Sequence, residues 1–220
     1  LKFLDQYAEV ARRTDASAKV FVTEHGRWPA VPKVGKWQTN WHQTTDVGGA
    51  LATADFLLGL MERPQVQLAN WHALSAAGPW QLIRKNEEGV FVPTVLYWSM
   101  RLLRESMLAS AVAIDYSPSR GTYAGGYDQR IVALRSANGT HASFLGVNRA
   151  DRPVTLQIKS WGKAGAVRSI SLRTVSGPKL DFRNEARGTA QARIVTAQVP
   201  VGDETLVCIP ARAVFALDRR

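Results

Sequence analysis

The chain has 220 residues, with 28 Lys and Arg against 18 Asp and Glu, giving a formal net charge of +10 and a pI of about 10.2. Its 45% hydrophobic content excludes a disordered chain. No apolar run approaches the roughly 18 residues of a membrane span, and a single cysteine, Cys208, excludes a disulfide framework or a zinc site built from several thiolates.

The positive charge is unevenly placed. Residues 1–107 carry 12 basic and 10 acidic side chains, whereas residues 108–220 carry 16 and 8. The basic residues of the second half are spread singly, with no run of five or more. This pattern fits a basic soluble surface, so no nucleic-acid or membrane partner is expected. The chain opens Leu1-Lys2-Phe3-Leu4 without the pattern of a signal peptide, and it is expected to begin inside a longer polypeptide.

Elements alternate in the first half. Phe3, Leu4, Tyr7 and Ala11 recur at helical spacing and predict a helix over about 2–15. Residues 19–24 form a short β-rich run with a polar tip at Glu24. Residues 25–45 show no clear period. Val47, Ala50, Leu51, Ala54, Leu57, Leu58 and Met61 then predict a helix with one buried face, capped by Asp46 and stopped by Arg63-Pro64. A second strand follows at 66–71, and Pro93 and Thr94 start a further helix along Leu96, Met100, Leu103 and Met107. The order α-β-α-β-α predicts parallel strands with crossover helices. Apolar side chains on nearly both faces of the strands predict a sheet buried on both sides.

The second half reads as strands at 111–116, 131–136, 141–148, 154–159, 167–175, 190–200 and 205–217, the last interrupted at Pro210. Gly125-Gly126, Asn138-Gly139, Asp151-Arg152-Pro153, Gly177-Pro178 and Gly202-Asp203 punctuate them. Asn138-Gly139 between two apolar runs predicts a hairpin. Strands at this spacing predict an antiparallel sandwich. Cys208, between Val207 and Ile209, is expected to be buried.

Two parallel strands do not make a stable sheet alone. A closed eight-unit barrel takes about 250 residues. Residues 1–107 are therefore read as the last two βα units of a TIM (β/α)8 barrel, and 108–220 as a β-sandwich domain: α/β plus all-β. The alternative is a small α/β layer that completes its core against the sandwich.

In a parallel barrel the chemistry sits at the C-terminal strand ends. Glu24 is placed there, as a candidate nucleophile or general acid/base; the plain alternative is a surface loop residue. His25 follows and is suited to bond a carboxylate or a sugar hydroxyl, or simply to pack. The long segment after the first strand carries Trp28, Trp37 and Trp41, flat faces suited to sugar rings, bases or partner proteins, or to closing the core. Asn70 and Trp71 end the second strand, a hydrogen-bonding group and a pocket floor. His72 reads as the strand-to-loop transition. The four histidines lack H-x-x-x-H or H-E-x-x-H spacing, so no metal site is expected.

Several segments are familiar in order. Val22-Thr23-Glu24-His25-Gly26 resembles the nucleophile strand of clan A glycoside hydrolases, where a Glu closes strand seven. The run from Asp46 to Leu57 resembles the following helix of family 51 α-L-arabinofuranosidases. Val66-Gln67-Leu68-Ala69-Asn70-Trp71 is similar to that family's strand eight, and Tyr97-Trp98-Ser99-Met100-Arg101-Leu102 to its last barrel helix. The stretch from Ser176 to Asn184, and Ile209-Pro210-Ala211-Arg212-Ala213-Val214, are similar to segments of its sandwich. Two features depart from the family. His25 stands where it usually has Trp or Tyr, and no Asn-Glu pair carrying the acid/base precedes Glu24.

The resemblance implies retaining hydrolysis of a non-reducing-end sugar, with α-L-arabinofuranose as the expected one. Glu24 would be the nucleophile, and His25, Trp28, Trp37, Trp41, Asn70 and Trp71 would shape the sugar site. It implies no cofactor, a carbohydrate substrate, and a barrel region from the same or a separate chain that supplies the acid/base. A homo-oligomer is compatible with it. The alternatives are another clan A glycosidase (a β-xylosidase, β-glucuronidase or endoglucanase) or a non-catalytic carbohydrate-binding module.

Overall fold

The computed structural model describes residues 1–72, 78–114, 116, 127–159, 169–186, 191–202 and 204–219. The expected Gly125-Gly126 turn lies outside them, as do Asp203, residue 115 of one predicted strand, and Val167 and Ala190 at the starts of two others.

Helix α1 (Lys2–Thr14) is followed by strand β1 (Val20–His25), a 3-10 helix (Trp37–Thr44), helix α2 (Val47–Met61) and strand β2 (Val66–Trp71). β1 and β2 pair in parallel, with Phe21 opposite Leu68 and His25 opposite Trp71. A short antiparallel hairpin, β3 (Ile83–Lys85) and β4 (Phe91–Pro93), leads into helix α3 (Val95–Ser106). The periods had given no sign of this hairpin, because three-residue strands are too short to show alternation.

α2 begins where its sequence predicted. Asp46 Oδ1 accepts from Gly49 N at 2.7 Å, a side-chain cap on an otherwise unpaired amide. Gly49 is required there, since a Cβ would collide with the Thr44 carbonyl. Asp46 is buried, and burial pushes its carboxyl up to about 6 against the opposing pull of the Gly49 amide. Folding therefore takes up a proton between about pH 4 and 6. Stability from this group is complete below the unfolded value and is lost as pH rises to about 6. Asp46→Asn, which keeps the cap, is expected to be about 1–3 kcal/mol more stable than the parent at pH 7 and level with it at pH 4. Thermal melts at the two pH values check this; a pH-independent difference would refute it.

The second half is antiparallel. β5 (Ser110–Val112), β6 (Gln129–Arg135), β7 (Ala142–Asn148), β9 (Ser169–Ser176), β10 (Val195–Pro200) and β12 (Ala213–Arg219) form one sheet in the order β10-β9-β12-β7-β6-β5. β8 (Val154–Ile158) and β11 (Thr205–Ile209) form a separate pair. The Asn138-Gly139 hairpin joins β6 to β7, with Arg135 opposite Ala142 and Gly139 at φ 73°. Pro210 divides one predicted strand into two that enter different sheets, β11 and β12.

The six-stranded sheet is the middle layer. On β12, Val214 and Ala216 face α2 and α3 in one core, with Leu58, Leu96, Leu102 and Leu145. Ala213, Phe215 and Leu217 face the other way, into a core with Val207 and Ile209 of β11. The period of two divides one strand between two cores, which is why β12 is apolar at nearly every position. Cys208 corrects an expectation. It is exposed, because Val207 and Ile209 take the inward positions on either side of it.

The parallel pair also differs from expectation. None of its residues is buried, and Phe21 and Leu68, which pair across it, are 55% and 45% exposed. On α1, Phe3, Tyr7 and Val10 are exposed, and an Arg63–Asp5 ion pair at 2.6 Å ties that helix to the end of α2. The apolar pattern of these elements is real, but among the described residues nothing covers it. No helix among the described residues is long and apolar enough to cross a membrane.

Candidate active site

Glu24 lies near the C-terminal end of β1 with its side chain 67% exposed. The parallel register brings the end of β2 beside it, and His72 N donates to His25 O at 3.0 Å. This places the His72 ring against the carboxylate, Nδ1 to Oε2 at 3.0 Å. His72, read from sequence as a plain transition residue, is thus the group that meets Glu24.

Successive side chains of a strand point to opposite faces. His25 accordingly leaves Glu24 and packs between Phe56 of α2 at 5.4 Å and Trp71 of β2 at 5.5 Å. Burial there pushes its imidazole below the ordinary histidine value, favouring the neutral ring. Asn70, near the end of β2, is exposed.

The tryptophans form a connected wall. Trp28 stacks on Trp37 at 5.5 Å, and Trp37 meets Trp41 edge-on at 5.6 Å. Trp28 also lies 4.9 Å from Trp80, whose ring meets His72 at 4.3 Å. Trp80 is the residue that the sequence reading missed, and it joins the Glu24–His72 pair to the other indoles. It is held by two backbone bonds: its Nε1 donates to Arg27 O at 3.2 Å, and its own carbonyl accepts from Trp71 Nε1 at 2.9 Å. Gly26 makes room for it, since a Cβ there would lie 2.7 Å from Trp80 Cδ1. The one available signal was a Gly two residues past Glu24 together with an aromatic nine positions after the second strand.

The arrangement offers a solvent-facing carboxylate, a histidine able to donate a hydrogen bond to it, and aromatic faces alongside. A carboxylate so placed can attack an electrophilic carbon or move a proton. Among the described residues no cluster of three or more His, Cys, Asp or Glu could hold a metal ion.

No protein-family model matches the chain, and no curated protein matches it by sequence. Solved structures do. Over 100% of its length the chain is similar to a thermostable GH51 α-L-arabinofuranosidase from Thermotoga petrophila, with a TM-score of 0.75, 15% identity and 48% of that chain covered. The GH51 arabinofuranosidase from Xanthomonas axonopodis pv. citri gives a TM-score of 0.75 at 16% identity, with 45% of its chain covered. A GH30 subfamily 8 xylanase from Clostridium acetobutylicum gives 0.58 at 12% identity, with 44% covered. At these identities the likeness is one of fold, and the chain has the fold of just under half of a family 51 α-L-arabinofuranosidase.

Proposed function

We propose that the chain is the C-terminal part of a retaining glycoside hydrolase that releases non-reducing-end α-L-arabinofuranosyl residues. In this reading residues 1–107 close a (β/α)8 barrel, and residues 108–220 are its sandwich domain. The observation that carries it is Glu24 near the end of a parallel strand, paired with His72, whose ring meets Trp80, in a chain folded like half of such an enzyme. The uncovered Phe21, Leu68 and α1 face support the barrel part, as positions the rest of a barrel would bury.

Glu24 attacks the anomeric carbon and forms a glycosyl-enzyme. A second carboxyl about 5–5.5 Å away protonates the leaving oxygen and later activates water. That group comes from the barrel region outside these residues. His72 donates Nδ1–H to Glu24 and holds one oxygen, leaving the other to attack. Trp28 and Trp80, with Trp37 and Trp41 behind, present faces to the C–H side of the sugar. His25 supports Trp71 from the opposite side of β1, and Asn70 is free to meet a hydroxyl.

The likeness to a xylanase favours one second reading, a clan A enzyme acting on β-xylosidic bonds. A panel of aryl glycosides given to the complete polypeptide separates the two. Turnover of the α-L-arabinofuranoside is the expected result. Turnover of the β-xyloside alone would favour the second reading, and binding without hydrolysis would leave only a carbohydrate-binding role.

A further inference from the structure

A second polar site lies away from Glu24. Between the 3-10 helix, β3 and the 179–186 loop is a cleft of about 240 Å³ whose lining includes Gln38, His42, Arg84, Arg183 and Glu185. The 3-10 helix separates it from the aromatic wall: Trp37 and Trp41 pack towards Trp28, while Gln38, Thr39 and His42 line the cleft.

Two of its charged groups are buried and under-used. The Glu185 side chain is 9% exposed, and among the described residues neither carboxylate oxygen has a hydrogen-bond partner. Arg84, 16% exposed, stands 3.7 Å from Glu185, beyond hydrogen-bond distance, and among the described residues its one hydrogen bond is a long one to Thr45 Oγ1 at 3.5 Å. A guanidinium has five donors and a carboxylate about four acceptor sites. Buried polar groups are ordinarily satisfied, and a buried ion pair repays its desolvation only with good geometry and further hydrogen bonds. This pair has neither, and it lines an open cleft.

The chemistry of the lining selects the guest. A pure acceptor such as a carboxylate or phosphate would suit Arg84, Arg183 and Lys85 but would face Glu185 and Glu87. A cation would suit the two carboxylates but face three basic groups. A hydroxyl donates and accepts, and neighbouring hydroxyls serve Glu185 and Arg84 together. His42 adds an acceptor. Its Nδ1 lies 3.0 Å from the Thr39 carbonyl, to which it donates. Burial, then the Arg183 charge, hold the ring below its ordinary value and favour the neutral form, in which Nε2 accepts while Nδ1 donates. We propose that this cleft is a binding site for one neutral sugar residue, with Glu185 accepting and Arg84 donating to its hydroxyls. The site is independent of Glu24, and either assignment can fail without the other.

The test is NMR titration of the complete polypeptide with L-arabinose, D-xylose, D-glucuronate and inorganic phosphate, reading the His42 imidazole signals. A neutral sugar is expected to shift them saturably. Glu185→Gln is expected to weaken that binding about tenfold, and Gln38→Ala, on the exposed side of the lining, about threefold. Glu24→Gln is expected to leave the His42 titration unchanged. Absence of any His42 response to both neutral sugars overturns the proposal, as does a response to glucuronate or phosphate alone. Unchanged affinity in a folded Glu185→Gln chain, or in Gln38→Ala should the former not fold, overturns it too.

Discussion

In the complete polypeptide, Glu24→Ala is expected to lower turnover of an aryl α-L-arabinofuranoside by about 10⁴-fold. The variant removes the atom that forms the covalent intermediate, so both halves of the reaction are lost together. It also removes the acceptor of His72, 3.0 Å away, and leaves space on the face of the sugar from which Glu24 attacks. Azide is small enough to enter that space. It is expected to restore part of the rate and to give a glycosyl azide of inverted configuration, a product the parent does not make. The substrate's leaving group adds a second reading. With a good aryl leaving group the surviving acid/base is barely needed, so rescue should be strongest there. Turnover near that of the parent would remove Glu24 from the chemistry and leave the tryptophan wall as a binding surface.

The largest stability effect is expected at Asp55 of α2. Its carboxylate accepts from Tyr127 Oη at 2.7 Å and from Arg130 Nε at 2.9 Å, with Arg149 at 3.7 Å. Arg130 also donates to Tyr127 Oη at 2.8 Å and pairs with Glu62, and Arg149 lies over the Tyr127 ring at 4.2 Å. The cluster ties α2 to β6 and to the loop after β7, across the boundary between the helical layer and the sheet. Asp55→Ala removes the shared carboxylate from two partly buried guanidiniums, leaving Arg130 with Glu62 and Tyr127 and Arg149 with the Tyr127 carbonyl. Removing one partner of a fully buried pair costs about 3–5 kcal/mol; this pair is 17–18% exposed and its arginines keep other partners, so a loss of about 2–4 kcal/mol is expected. The midpoint of urea unfolding should fall accordingly, with an unchanged slope if the unfolded state is unaffected. Asp55→Asn, which retains an acceptor for Tyr127, should lose less. A loss below about 1 kcal/mol for Asp55→Ala would mean that water replaces the carboxylate, as at an exposed pair.

Much of the framework was legible because local rules dominate there. Asp46 and Thr94 cap α2 and α3 through the next-turn amides, a device readable from residue type and position. The Asn138-Gly139 hairpin formed where a left-handed glycine is needed. The order α-β-α-β-α carried the parallel pairing of β1 with β2. The errors fall where burial is decided by a neighbour distant in sequence. Cys208 has apolar residues on both sides, yet pairing with β8 turns it outward. Phe21 and Leu68 carry a buried pattern, and no described element reaches them.

The candidate site divides in the same way. Sequence alone singled out Glu24, Asn70 and Trp71 at the ends of two strands, and Trp28, Trp37 and Trp41 in the long segment between, because polar tips and clustered indoles are properties of residue type. It also placed His25 at the sugar site, whereas the structure packs that ring between Phe56 and Trp71. Only the tertiary structure decided which groups meet. Parallel register set His72 on Glu24, and the space at Gly26 admitted Trp80 to close the wall. The same is true of Arg84 and Glu185, 101 positions apart in the chain and 3.7 Å apart in space. Periodicity and capping act over a few residues, whereas these contacts depend on packing among elements whose separation along the chain carries no local signal.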